Sequence, residues 1–262
     1  MQQHPDLAHL AQHAIILPHL KVLVSSLNSR EYAPALLAGR GNFLATHPTI
    51  EELSWYHDSP VTFPKDGVFL PNLRRLRAHR DFVIRLVNRR GAPDELTIDC
   101  VDTRTLCLLV GLGRGIRKLV IDEIQGGTLP YLAEFNEFPN LRVLSVSRTR
   151  GGENVHFWNL NKMAEFLRSF PLIEAFQIES KGIWDIFDVP KKPSIHSLVD
   201  RCPNLRILNI QRPLYTESKS IEIKDKIGGY EVSSTGRRSV LSNSYQHAFH
   251  VYYQVVMVIF RW

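Results

Sequence analysis

Pro139-Asn140-Leu141-Arg142-Val143-Leu144-Ser145-Val146 sets three apolar residues at positions 141, 144 and 146 behind a proline. The same order returns as Pro71-Asn72-Leu73-Arg74-Arg75-Leu76-Arg77-Ala78 and as Pro203-Asn204-Leu205-Arg206-Ile207-Leu208-Asn209-Ile210. Weaker copies are Ile50…Leu53…Trp55, Leu96…Ile98, Ile116…Leu119…Ile121 and Ile173…Phe176…Ile178, with Leu20…Leu23 as an eighth. The middle apolar residues fall at 23, 53, 76, 96, 119, 144, 176 and 208, separated by 30, 23, 20, 23, 25, 32 and 32 residues. Leucine-rich repeats run about 20–29 residues on an L-x-x-L-x-L skeleton, so the longer intervals hold insertions.

The intervening segments Ala35 to Thr46, Asp81 to Arg89, Thr103 to Leu112, Leu160 to Phe170 and Ile195 to Arg201 carry apolar residues three and four apart. That spacing predicts amphipathic helices, each stopped near a Pro or Gly. A single strand-plus-helix unit cannot bury its apolar face, whereas stacked units bury a continuous core. The expected fold class is therefore α/β: a leucine-rich-repeat solenoid of about eight irregular repeats over residues 1–212, a curved parallel sheet backed by helices. A conventional α/β sheet buried on both faces predicts near-continuous Val/Ile strands. Here Leu alternates with Arg, Glu, Thr, Ser and Asn, so one face is wet.

The Pro-Asn-Leu-Arg-x-Leu anchors, the irregular repeat lengths and the opening His4-Pro5-Asp6-Leu7 resemble the degenerate repeats of fungal F-box-like leucine-rich-repeat proteins over roughly residues 5 to 212. The resemblance implies the substrate-recognition part of a ubiquitin ligase receptor, with Skp and cullin subunits as partners. Two departures stand out: no F-box is recognisable, and the Asn that follows the third Leu by three positions occurs only at Asn28. Asp58 and Asp81 are partial substitutes; Val101, Ile124 and Pro213 are not.

Residues flanking each anchor point to the exposed, concave face. One row is Val22, Glu52, Arg75, Glu95, Lys118, Val143, Ala175 and Ile207, in which Glu52, Arg75, Glu95 and Lys118 are expected to form a ladder of alternating sign. The next two rows place Tyr56, Arg77, His79, Asp99 and Asp122 together, a cluster rich in interaction-prone residue types and the candidate partner-binding site. The Arg74 to Arg90 basic run offers an alternative, nucleic-acid association, but it spans strand, turn and helix and lacks an aromatic platform.

Composition fits a globular chain: 262 residues, 44% apolar, 22% charged and a formal net charge of +6. Cys100, Cys107 and Cys202 are too few and scattered for a disulfide framework or a zinc knuckle, and the chain reads as intracellular, cytoplasmic or nuclear. Cys100 and Cys107 are expected as small core residues. No secretory signal is evident, and the longest apolar stretch, Val251 to Phe260, is too short to span a membrane. Gly111-Leu112-Gly113-Arg114-Gly115 lacks the sixth Gly of a dinucleotide loop and follows a helix, so it reads as a helix stop. His9 and His13 lack a third metal ligand, and Asp185 and Asp188 lack a positioned partner for acid–base work. The expectation is a non-enzyme with no cofactor and no metal. Residues 213–262 read as a linker followed by a poorly ordered or edge-strand tail, with strong strand preference in His250 to Phe260.

Overall fold

The computed structural model describes residues 16–25, 43–56, 69–90, 92–125, 128–134, 138–147, 149–150, 160–179, 198, 200–211, 218–223 and 230–235. It is an α/β structure whose described residues fall into two compact units, one running to Ile98 and the other starting at Asp99.

In the first unit, strands β1 (Val22–Ser25), β2 (Glu52–Trp55), β3 (Arg75–Ala78) and the first half of β4 (Glu95–Val101) pair in parallel. The register matches anchor to anchor: Leu23 with Leu53, Leu53 with Leu76, Leu76 with Leu96. Alternation decides the faces, since successive strand side chains point to opposite sides. Leu23, Leu53, Leu76 and Leu96 are buried, as are Ser25, Trp55, Ala78 and Ile98 two positions on. The bulk of Trp55 lies between the small Ser25 and Ala78, and its ring stacks at 5.2 Å on Phe82 of helix α1 (Arg80–Arg90). The helix layer therefore covers the anchor face and leaves the flanking residues on the other.

The second unit repeats the scheme. Strands β5 (Lys118–Gln125), β6 (Val143–Val146), β8 (Ala175–Glu179) and β9 (Ile207–Gln211) are parallel, with Leu119, Leu144, Phe176 and Leu208 in register and fully buried. The two-residue β7 (Thr149–Arg150) pairs with the end of β5. Helices α2 (Thr103–Val110), α3 (Leu129–Glu134) and α4 (Leu160–Arg168) lie between strands in sequence. The predicted stripe on α4 is realised in Met163, Ala164 and Leu167, all buried, and Phe166 packs on Phe176 of β8 at 5.8 Å. Asp102 caps α2 by accepting from the Thr105 N–H and hydroxyl, both at 2.7 Å. The glycine run closes α2 and forms a short 3-10 turn, Gly113–Gly115.

Chain after 212, read from sequence as linker and tail, holds two strands, β10 (Ser218–Ile223) and β11 (Tyr230–Thr235). They form an antiparallel hairpin whose first strand pairs with β9, so the parallel series ends in a reversal of direction. His250 to Phe260 lies outside the described residues.

Six of the strands, β1, β2, β3, β6, β8 and β9, start in the same way. A residue that is buried in every case but Leu17, a proline, a third residue and an apolar residue make a turn closed by a hydrogen bond from the fourth N–H to the first carbonyl. It occurs at Leu17 to Leu20 (3.1 Å), His47 to Ile50 (3.3 Å), Leu70 to Leu73 (3.1 Å), Phe138 to Leu141 (3.2 Å), Phe170 to Ile173 (3.0 Å) and Cys202 to Leu205 (3.0 Å). Proline fits the second position because its fixed φ suits a turn and its missing N–H is not needed there. The next two N–H groups then share one carbonyl of the preceding strand: Arg74 and Arg75 bond the Glu51 oxygen (2.7 and 3.0 Å), and Glu174 and Ala175 bond that of Arg142 (2.8 and 3.0 Å).

Candidate functional site

Tyr56, Arg77 and His79 belong to the first unit. Tyr56 follows β2, is 39% exposed, and is held by its N–H donating to the Ser25 carbonyl at 2.9 Å. Arg77 sits in register with Ser54 and Thr97, and its guanidinium carbon lies 5.4 Å from the Tyr56 ring centroid. That is a cation–π contact, which draws the arginine over the ring and joins the two side chains across adjacent strands. His79, half-buried, follows β3; its carbonyl accepts from the Phe82 and Val83 N–H groups (3.0 and 3.1 Å) and so starts α1. Asp99 and Asp122 belong to the second unit, each half-buried and following the last regularly buried residue of its strand, Ile98 and Ile121. The five residues thus divide three and two between the units.

Beside this cluster, Arg75 donates from Nη1 to Glu52 at 2.8 Å and from Nε to Glu95 at 3.1 Å. The Glu95 hydrogen bond and charge, with Glu52 adding to them, hold the guanidinium's pKa above its ordinary value. Three of the four expected ladder members are therefore joined; Lys118 lies exposed in the second unit. One residue earlier in each strand, Lys21 pairs with Glu51 at 2.9 Å, and the hydrogen bond and charge of Lys21 hold the Glu51 carboxyl below its usual range. Glu51, Asn72, Arg74 and Asp94 line a shallow polar pocket of about 290 Å³ at the strand starts.

The basic run disperses as the element boundaries require. Arg74 joins that pocket, Arg75 the ladder and Arg77 the tyrosine, while Arg80 lies 3.6 Å from Asp81 and Arg85 faces solvent. The side chains of Arg89 and Arg90 lie outside the described residues. Asp81 is exposed in the first turn of α1, so it does not fill the position of the missing repeat asparagine. Where that asparagine would stand on β4 and β5, Val101 and Ile124 are fully buried and continue the core instead.

The cysteines need a correction. Cys107 is exposed on α2 and Cys100 half-buried with its Sγ 4.0 Å from Glu123; neither is a core residue. Helix α2 turns Leu106 and Leu109 inward, and Cys107, one residue past Leu106, points away from them. Cys202 is the buried thiol, its pKa pushed up to about 11 by burial, with Arg201 opposing weakly. A thiol so shifted is no nucleophile at neutral pH. Among the described residues no group of His, Cys, Asp and Glu is placed to hold a metal, and no helix is long and apolar enough to cross a membrane. His9, His13, Asp185 and Asp188 lie outside the described residues.

Sequence reasoning missed the asparagine of Pro-Asn-Leu. Asn72 Nδ2 donates to the Pro48 carbonyl (3.0 Å), Asn140 to that of Arg114 (2.7 Å) and Asn204 to that of Pro171 (2.8 Å), each oxygen belonging to the preceding repeat's turn. Its signal was the threefold recurrence of Asn in one slot. Also missed was His47, 1% exposed, whose Nδ1–H donates to the Phe43 carbonyl at 2.6 Å while Nε2 accepts the Leu17 N–H at 3.0 Å. Compared with known proteins, the chain matches no family model and no curated protein.

Proposed function

We propose that the chain is a leucine-rich-repeat solenoid acting as a non-catalytic protein-interaction module, with the sheet face away from the helices as its binding surface. One observation supports this reading: within each unit the leucine-centred segments pair in parallel, anchor on anchor, so the residues between anchors form ordered rows on the face opposite the described helices. Side chains held on paired strands lose little further freedom when a partner docks, which lowers the entropic cost of association. Tyr56 and Arg77, already stacked, are the residue types that dominate interfaces. The three free cysteines fit a reducing, intracellular compartment.

By its resemblance to F-box-like repeat proteins, the partner would be a substrate presented for ubiquitin ligation. The test is affinity purification with mass spectrometry on the wild-type chain and on Arg77→Glu plus Asp99→Lys. The expected result is loss of specific partners from the variant, and retention of every partner would overturn the assignment of the face. Recovery of Skp- and cullin-type subunits would separate a ligase receptor from a binding module of another pathway.

A further inference from the structure

We infer that the second unit carries its own docking strip, built to take an acidic peptide segment of a partner protein around an apolar anchor. The inference rests on the interaction-module reading and narrows its partner. Val143, Ala175 and Ile207 are in register on β6, β8 and β9, so three aliphatic side chains lie side by side over about 10 Å on the exposed face. Ile207 is 47% exposed although β9 is paired on both sides, to β8 and β10. Its exposure therefore belongs to the sheet face and not to an open edge.

One residue before this row stand Arg117, Arg142, Glu174 and Arg206. Arg142 binds Glu174 at 2.8 Å; Arg117 and Arg206 are exposed and have no ion-pair partner among the described residues. Lys118, in register with Val143, adds an exposed cation. The aliphatic strip is thus bordered along the strand starts by cations in excess of carboxylates. Toward the far end of the neighbouring strand β5 the same unit carries Asp122 and Glu123.

This polarity selects the occupant. A leucine, isoleucine or methionine side chain covers the strip, and neighbouring carboxylates reach Arg206 and Arg117 in charge-assisted hydrogen bonds. Asp122 and Glu123 on β5 disfavour the reversed placement and so bias which way the segment lies. A nucleic acid fits less well, because its bases stack on rings and none of the described members of these rows is aromatic.

The test is fluorescence anisotropy on the full chain with a short fluorescein-labelled peptide of leucines spaced by glutamates. A peptide with lysine in place of glutamate serves as the control. Saturable binding of the glutamate peptide alone is expected, weakened at least about tenfold by Ile207→Asp and by Arg206→Glu and unchanged by Arg85→Glu on the exposed side of α1. The exposed-site variant Arg206→Gln stands in if Ile207→Asp unfolds by circular dichroism, with a smaller loss expected. Absence of saturable binding, equal binding of the lysine peptide, unchanged binding by the Ile207 and Arg206 variants, or tighter binding of a labelled single-stranded oligonucleotide would overturn the inference. So would sedimentation showing a dimer that Ile207→Asp dissociates, since the occupant would then be a second copy. None of these outcomes touches the partner loss tested with Arg77→Glu plus Asp99→Lys, so the two readings fail separately.

Discussion

Asn72, Asn140 and Asn204 show what one carboxamide does in a repeated setting. Each satisfies a turn carbonyl some two dozen or more residues back in sequence, so it fixes the spacing of successive turns as well as its own. Asn140→Ala removes the 2.7 Å bond to Arg114 and, by the usual net worth of such a bond, lowers the unfolding free energy by about 1 kcal/mol in urea titration. Asn140→Asp does no better, because it exchanges the donor for an acceptor facing an acceptor. The cysteines make a second residue-level case. Iodoacetamide at mildly alkaline pH labels Cys107 in the native protein and reaches Cys202 only on unfolding, as peptide mapping would show. Burial both hides that thiol and holds its pKa near 11.

At the level of strands and helices, the anchor face and the exposed face differ in kind. Leu144 is fully buried, paired with Leu119 on one side and Phe176 on the other, and Leu144→Ala costs about 2–5 kcal/mol by lost transfer energy and the cavity left behind. Arg75 bonds two carboxylates, yet more than half of its side chain is in water, where such pairs are screened and worth little. Arg75→Gln therefore shifts the melting temperature only slightly, and raising the salt removes even that difference. Thermal scans of both variants at low and high ionic strength decide the matter. A large, salt-insensitive loss in Arg75→Gln would mean the ladder is structural in a way its exposure does not allow.

For the molecule as a whole, the consequential feature is the hairpin β10–β11, which pairs with β9 and so meets the backbone groups that a further repeat would have met. Ending the chain after Gln211 uncovers that edge, and the expected outcome is a less stable protein that aggregates on concentration, read by light scattering. Most of the architecture was legible before any coordinates. The Leu23 to Leu208 anchors, the α4 stripe and the inward-outward alternation all follow from spacing, because local geometry sends every second strand residue to the same face. The candidate site was legible only row by row. Tyr56 against Arg77 needed two adjacent strands in known register, and the asparagine bonds needed knowledge of which carbonyl the preceding turn leaves open. By itself, then, the sequence determined the anchor residues of the core, though not the place of Cys100 and Cys107, since burial of an apolar side chain answers to periodicity along one segment. Tertiary structure alone decided which charges are matched. Arg75 finds Glu95 across 20 residues and Arg142 finds Glu174 across 32, whereas Arg206 has no ion-pair partner among the described residues, and a partner that distant is chosen by the stacking of strands and not by any local rule.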